Sequence, residues 1–294
     1  MKKCILLPLH LYDYDVQGNL GIKDKIAMYR YSIEQTLKAS HGIKVFVICH
    51  GEKQKIFNNL PANCEIHWSQ YKKKPNKFGL FEQNPGQRIV VYEGLQLIKK
   101  KGFNYIIKGR ADSAILNLQP ILNLAETDKN KLIFTQITSF TEPWLLGDCF
   151  MAGNINRLLK LWSPSKEYDV DGLIYFAKKL LQIERAKDLY LLILEKAFFV
   201  DMSELKIVDY RFNWLKNKKL IQKDKNYSDE LLWGASNKWF AVNKQKLVGA
   251  NKPNLISKRF LKQSSINKYK AVRLLIVFYR KLFLRIFNKE LYKI

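Results

Sequence analysis

Three short apolar runs set the frame for this chain: CILLPLH (residues 4–10), IKVFVICHG (43–51) and NYIIK (104–108). Between them lie stretches whose apolar residues recur at helical spacing. In KIAMYRYSIEQTLKAS, Ile26, Tyr29, Ile33 and Leu37 fall on one helical face. In QRIVVYEGLQLIKKKG, Val90, Leu95 and Ile98 do the same, and Gly102 follows the basic end as a stop signal. EIHW (65–68) is a short strand candidate between the two helices, and KKKPNKFGLFEQNPG (72–86) has the Pro, Gly and Asn density of a loop. Strands that alternate with helices of this length cannot form a chain of hairpins. They predict a mainly parallel sheet covered by helices, an α/β fold.

NYIIKGRADSAI (104–115) reads as one strand and its exit. PILNLAETDK (120–129) then reads as a short helix, KLIFTQITSF (131–140) and CFMAG (149–153) as strands, and NINRLLKLW (154–162) as a helix. DGLIYFAKKLLQI (171–183) and KDLYLLILEKAFF (187–199) are strong helix candidates, and KIVDYRF (206–212) returns as a strand. With 294 residues, 47% of them apolar, the chain can bury a large core. No repeat and no low-complexity linker divides it. The expected organisation is one domain over residues 1–256 followed by a basic segment, 257–294.

The 51 Lys+Arg against 26 Asp+Glu give a net charge of +25, a field that favours phosphorylated small molecules, polyanions or anionic headgroups. Cys4, Cys49, Cys64 and Cys149 are far apart with no C-x-x-C pair, which argues against a zinc site or a disulfide framework and fits a reducing cytoplasm. In MKKCILLPLHLYDYD the apolar run is broken by Pro8, His10 and Asp13, too early for a signal peptide, and no window is apolar enough to span a bilayer.

The chemistry-bearing stretch is YIIKGRADSAI (105–115), where Lys108, Arg110 and Asp112 follow a buried-strand pattern within five residues. In open α/β sheets ligands collect beyond the carboxyl ends of strands. A lone Asp there is often only a turn cap. Residues two apart on an extended chain share a face, so Arg110 and Asp112 are expected to point at one ligand. A carboxylate binds a hard cation and a guanidinium meets phosphate bidentately, which suits a metal diphosphate.

The run from Gln87 to Ile115 resembles a segment of the WavE-type lipopolysaccharide-synthesis glycosyltransferases. In that segment an Asn/Gln-Arg helix start leads through Gly-Leu to a strand ending in Lys-x-Arg-x-Asp; here these are Gln87, Arg88, Gly94, Leu95, Lys108, Arg110 and Asp112. YRYSIEQTL (29–37) is similar to the family's Arg-x-Ser-Ile helix, and GDCFMAGNINRLLKLW (147–162) to its Asp-x-Phe-x-x-Gly turn. The resemblance covers roughly residues 1–160. It implies a GT-A-like fold, a nucleotide-sugar donor over the strand ends, and Mn²⁺ or Mg²⁺ bridging the diphosphate to an Asp-x-Asp-type motif. This chain departs from that motif: Arg110 stands at the place of the first Asp, which leaves Asp112 as the sole local metal ligand. The alternative is that Arg110 and Lys108 neutralise the leaving diphosphate directly.

On that reading Pro8 and His10 lie beside base and ribose, His50 forms a second wall of the pocket, and Arg88 reaches the nucleotide or its phosphates. Transfer to an acceptor hydroxyl with inversion needs a base. Asp148, just before an apolar strand, is the first candidate for that base or for a sugar contact; Glu142, Asp229 and Glu230 are others, and Trp144 or Tyr71 could stack on sugar or base. The acceptor implied is a glycan or glycolipid of the bacterial surface. Residues 257–294 carry eleven Lys/Arg against Glu290 alone, with Arg273, Lys281, Arg285, Lys289 and Lys293 on a four-residue ladder. This pattern predicts a helix lying on an anionic membrane, and hence a peripheral protein at the cytoplasmic face of the inner membrane. A nucleic-acid partner is not expected, because no binding module is recognisable. The alternative function is a non-catalytic basic α/β protein that docks on anionic membrane or nucleic acid.

Overall fold

The computed structural model describes residues 1–11, 22–51, 60–71, 83–134, 137–138, 145–146, 150–164, 179–180, 182–183, 197–200 and 204–210. In chain order the elements are β1 (Lys3–Leu11), α1 (Ile22–Ala39), β2 (Lys44–Gly51), β3 (Cys64–Trp68), α2 (Gln83–Lys100), β4 (Tyr105–Lys108) and β5 (Ser113–Ile115). There follow α3 (Gln119–Thr127), β6 (Leu132–Phe134), β7 (Ile137–Thr138), β8 (Leu145–Leu146), β9 (Met151–Asn154), α4 (Ile155–Trp162), β10 (Ala197–Phe199) and β11 (Ile207–Asp209).

The main sheet has the order β10-β6-β9-β4-β1-β2-β3. β1 pairs in parallel with β2, from Cys4 opposite Lys44 to Leu11 opposite Gly51, and on its other side with β4. β9 is the reversed strand, antiparallel to both β4 and β6. The α/β class and the mainly parallel sheet expected from the alternation are therefore present. β1 and β2 are buried on both faces, which is why they read as continuous apolar runs rather than alternating ones.

Side chains alternate across the sheet and sort the helices into two layers. Ile5, Leu7, Leu9, Val45, Val47 and Ile107 share a core with Ile26, Ile33 and Leu37 of α1 and with Ile121 and Ala125 of α3. The opposite face is covered by α2, which packs on β1 and β2, and by α4, which packs on β9 and α2. Gly94 allows α2 to ride close: a Cβ there would stand 2.7 Å from Ile48 Cγ1 and 3.0 Å from Leu6 Cδ1. Gly102, at φ +79°, closes α2 in the left-handed conformation that glycine accepts without cost. Among the described residues no helix is long and apolar enough to cross a membrane.

Four sequence expectations are corrected. α2 begins at Gln83, inside the stretch expected to be a loop, because Pro85 in the first turn gives up only an N–H that a helix start leaves unbonded anyway. The 104–115 stretch is two strands, β4 and β5, separated by a turn at Gly109–Asp112. The 131–140 stretch is likewise divided, and its second part, β7, pairs with β8 outside the main sheet. Finally, Ala197–Phe199 ends the expected helix 187–199 as strand β10, where aromatic residues suit a pleated surface against β6. Residues 211–294, and with them the expected domain end and the basic segment 257–294, lie outside the described residues.

Candidate functional site

After β1 the chain winds outward through β2 and β3, then crosses back through α2 to place β4 on the other side of β1. The strand order thus reverses between β1 and β4. Ligands of open α/β sheets bind at such a switch point, in the crevice beyond the carboxyl ends. The residues at those ends are Pro8, His10 and Leu11 on β1, His50 and Gly51 on β2, and Lys108 with the turn behind it on β4.

The turn is tied directly to β1. Gly109 N–H donates to Leu6 O at 2.9 Å and Ala111 N–H to Pro8 O at 3.3 Å. Pro8 sits in a central strand, where its missing N–H removes a ladder bond, yet its carbonyl still anchors the turn. Gly109 lets the core pack close to the turn, since a Cβ would meet Leu7 Cδ2 at 3.0 Å and Ile115 Cδ1 at 3.3 Å. The consequence corrects the extended-chain reading. Arg110 and Asp112 face each other: Nε donates to Oδ1 at 2.7 Å and Nη2 to Oδ2 at 2.6 Å, a two-pronged fork. The Asp112 side chain is 9% exposed and that of Arg110 19%. Ser113 Oγ donates to Oδ1 at 3.4 Å, and the Tyr210 N–H after β11 donates to Asp112 O at 3.1 Å. β11 pairs with β5, and Tyr210 packs edge-on against Tyr31 of α1, so three distant segments hold this turn.

Lys108 points to the other face of the sheet. It is fully buried, its Nζ 4.9 Å from the Trp162 ring at the end of α4. A cation over an aromatic face is stabilised there by the ring quadrupole. The resemblance put Lys108 at the donor phosphates; in the folded chain it is fully buried. Also on this face, His10 and His50 are cross-strand neighbours with ring centroids 5.7 Å apart, and the His50 ring lies 5.0 Å from that of Tyr71. Arg88, on α2, is buried. It stands six residues before Gly94, about 9 Å along the helix toward the strand ends. That places it near the level of His10 and His50.

His10, His50 and the Arg110–Asp112 turn thus stand at the carboxyl end of the sheet, with Tyr71 beside His50 and Arg88 near their level on α2. The thiols contribute little: burial pushes Cys49 up to about 12 and Cys64 up to about 11, far from a reactive thiolate. Hard divalent cations take six or more oxygen ligands. Among the described residues no three His, Cys, Asp or Glu side chains are grouped to hold a metal, and both Asp112 oxygens already accept from Arg110. Asp112 would share its carboxylate between Arg110 and a divalent ion, and a diphosphate and water would supply the remaining oxygens. Asp148, Glu142, Trp144, Asp229 and Glu230 lie outside the described residues.

Sequence reasoning missed Trp162 and Tyr210. The contacts they make span 54 and 98 residues, from Lys108 and Asp112 respectively, and no local pattern announces them. It also missed Ser69, whose Oγ donates to Glu93 on α2 at 2.5 Å and accepts from Tyr71 N–H at 3.0 Å, so that Tyr71 is held beside His50.

No family model matches the chain, and no curated protein matches it either. Among solved structures it is similar to a proposed nucleotide-diphospho-sugar transferase from Desulfovibrio desulfuricans, with 10% identity, a TM-score of 0.47, and coverage of 76% of this chain and 97% of that one. It is also similar to the 4-diphosphocytidyl-2C-methyl-D-erythritol synthase from Anaerococcus prevotii, with 10% identity, a TM-score of 0.44 and the same coverage. Likenesses this distant assign no activity.

Proposed function

We propose that the chain is a nucleotide-sugar-dependent glycosyltransferase with a GT-A-like fold that acts in bacterial surface glycan synthesis. The observation that carries this reading is the switch point between β1 and β4, with the paired Arg110–Asp112 turn, His10 and His50 at the carboxyl ends of its strands. The resemblance of residues 87–115 to the WavE-type enzymes supports the surface glycan assignment. The donor diphosphate binds over the strand ends, Asp112 and Arg110 fix its position, and the acceptor is a lipid-linked or surface glycan. Asp148 is the proposed base or sugar contact. The +25 charge and the basic segment 257–294 support attachment to an anionic membrane from the cytoplasmic side.

A second reading, a basic α/β protein that binds anionic membrane or nucleic acid without chemistry, draws on the Arg110–Asp112 fork: the carboxylate is already paired, as it would be in a purely structural turn. Thermal shift with UDP, GDP, CDP and ADP separates the two. A nucleotide present at about one hundred times its dissociation constant stabilises the folded chain by about 2.7 kcal/mol, which moves the melting midpoint by several degrees. Such a shift, together with transfer of labelled sugar from the matching nucleotide-sugar, supports the enzyme. No response to any of the four nucleotides would sink it. Membrane attachment is tested separately: removal of residues 257–294 should move the protein to the soluble fraction, and unchanged partitioning would assign that segment to packing.

A further inference from the structure

The amino end of the sheet, opposite the β1–β4 switch point, carries charge of another kind. Crossover connections return the chain to this end before each parallel strand, so it gathers the last turns of α1 and α2, the loop from α3 to β6 and the start of α4. Lys38 is exposed in the last turn of α1, and Lys99 and Lys100 in that of α2, on the other face of the sheet. Lys2, Lys3 and Lys44 stand at the starts of β1 and β2, and Lys129 and Lys131 lead into β6. Hydrogen bonds join these segments into one surface. Lys2 Nζ donates to Lys101 O at 3.2 Å, Lys44 Nζ to Ala62 O at 3.2 Å, Ile155 N–H to Asn104 O at 3.0 Å, and Arg157 Nη1 to Asn130 O. The acids of the same segments are Glu65, Glu126 and Asp128. Glu65 is shared by Lys44 and Lys101, and Glu126 meets Lys3 at 2.9 Å, so the exposed lysines of the helix ends and of the α3–β6 loop add to a net positive face.

A lysine in the last turn of a helix offsets the helix dipole, which accounts for one cation on α1 and one on α2. It does not account for those at the strand starts or before β6. From β6 to β2 the charges spread over about 19 Å, and they lie on both faces of the sheet, as a broad end rather than a groove. Nearly all are lysines, point charges on flexible stems, rather than the guanidinium forks and stacking aromatics that grip nucleic acid. Such an array suits a fluid anionic surface, where each lysine near the headgroups raises affinity about fivefold.

We propose that the amino end of the sheet is a docking surface for an anionic membrane: Lys2, Lys38, Lys99, Lys100 and Lys129 face the headgroups, and the carboxyl end, about 30 Å away along β1, is turned to the aqueous side. This surface belongs to the folded domain and is separate from the segment 257–294. It stands whether or not the donor site does.

The test is flotation of the full chain with vesicles of phosphatidylcholine alone and with vesicles enriched in phosphatidylglycerol, at low and at high salt. The protein should bind the anionic vesicles only, and salt should weaken the binding. Lys99→Gln together with Lys100→Gln should weaken it about tenfold or more. Lys23→Glu removes the same net charge from the exposed first turn of α1, at the far end of the sheet, and should change affinity by less than about threefold. All these positions are exposed, so both variants should melt within a few degrees of wild type. Equal losses in the two variants overturn the docking surface, since net charge alone would then govern binding. Unchanged binding in both also overturns it and leaves attachment to residues 257–294. Lost affinity for a DNA or RNA duplex in the paired variant, with vesicle affinity unchanged, makes the partner a nucleic acid and sinks the proposal. Failure of the wild-type chain to bind anionic vesicles overturns it outright.

Discussion

Among the carboxylates that meet basic side chains, Asp112 and Glu65 do so in opposite ways. Asp112, at the carboxyl end of the sheet, is 9% exposed and gives both oxygens to a single guanidinium at 2.6 and 2.7 Å. Glu65, near the amino end on the edge strand β3, is 29% exposed and meets Lys101 at 2.6 Å, His67 at 2.6 Å and Lys44 at 3.7 Å. Each basic partner of Glu65 is itself half-exposed and screened by water. Asp112 is reached by far less water. Exposure is what separates the two pairings.

The comparison breaks first at Asp112. Asp112→Asn keeps the shape and one acceptor but removes the charge that fixes Arg110. Transfer of labelled sugar should fall by about one hundredfold or more, as when a preorganised electrostatic contact is removed. Stability should fall by only about 1–3 kcal/mol, because the amide oxygen still accepts a hydrogen bond. Near-normal turnover in a folded variant would remove Asp112 from the mechanism and make its pairing no more functional than that of Glu65.

A smaller effect is expected at Gly109, which aims the turn without touching a ligand. In Gly109→Ala the added methyl meets Leu7 and Ile115 in a packed core. Overpacking of this kind costs about 1–3 kcal/mol in chemical denaturation, and nucleoside diphosphate affinity should drop several-fold as Arg110 is re-aimed. Loss of stability with unchanged affinity would mean that the turn's course does not control the site. Smaller again is Lys108→Met. The lysine lies under the surface against Trp162, so affinity for a nucleoside diphosphate should stay within about threefold of wild type. A tenfold loss would bring Lys108 back into the donor site.

How much of this was legible in the sequence differs between scaffold and site. β1 and β2 announce themselves because parallel strands buried on both faces are continuous apolar runs, and α1 because Ile26, Ile33 and Leu37 repeat at helical spacing against them. The charges of the KGRAD stretch were visible too. Their arrangement was not. A two-residue spacing was read as one face of an extended strand, whereas the chain turns between Arg110 and Ser113 so that Arg110 and Asp112 close on each other. Pro85 carries the same ambiguity, since a residue that marks loops also suits the first turn of a helix. The contacts of Trp162 and Tyr210 depend on tertiary closure across the sheet, which local periodicity does not encode.

The smallest expected effect sharpens the comparison from the other side. At Glu65, burial works to raise the carboxyl pKa, but hydrogen bonds from Lys101 and His67 and the charge of Lys101 outweigh it and hold the group below the ordinary carboxylate value. A carboxylate whose pKa is lowered on folding stabilises the fold above its unfolded pKa, and that contribution disappears as pH falls through the folded value. Glu65→Gln should therefore lower the urea midpoint slightly at neutral pH, by less than about 1 kcal/mol for a pair this open to solvent. The difference from wild type should close as pH falls through the acid range below about 4.3. Donor affinity and transfer should not change, because Glu65 lies at the end of the sheet away from the β1–β4 crevice. A neutral-pH loss as large as that of Asp112→Asn would show that the edge network organises the fold after all, and exposure would cease to be what distinguishes the two carboxylates.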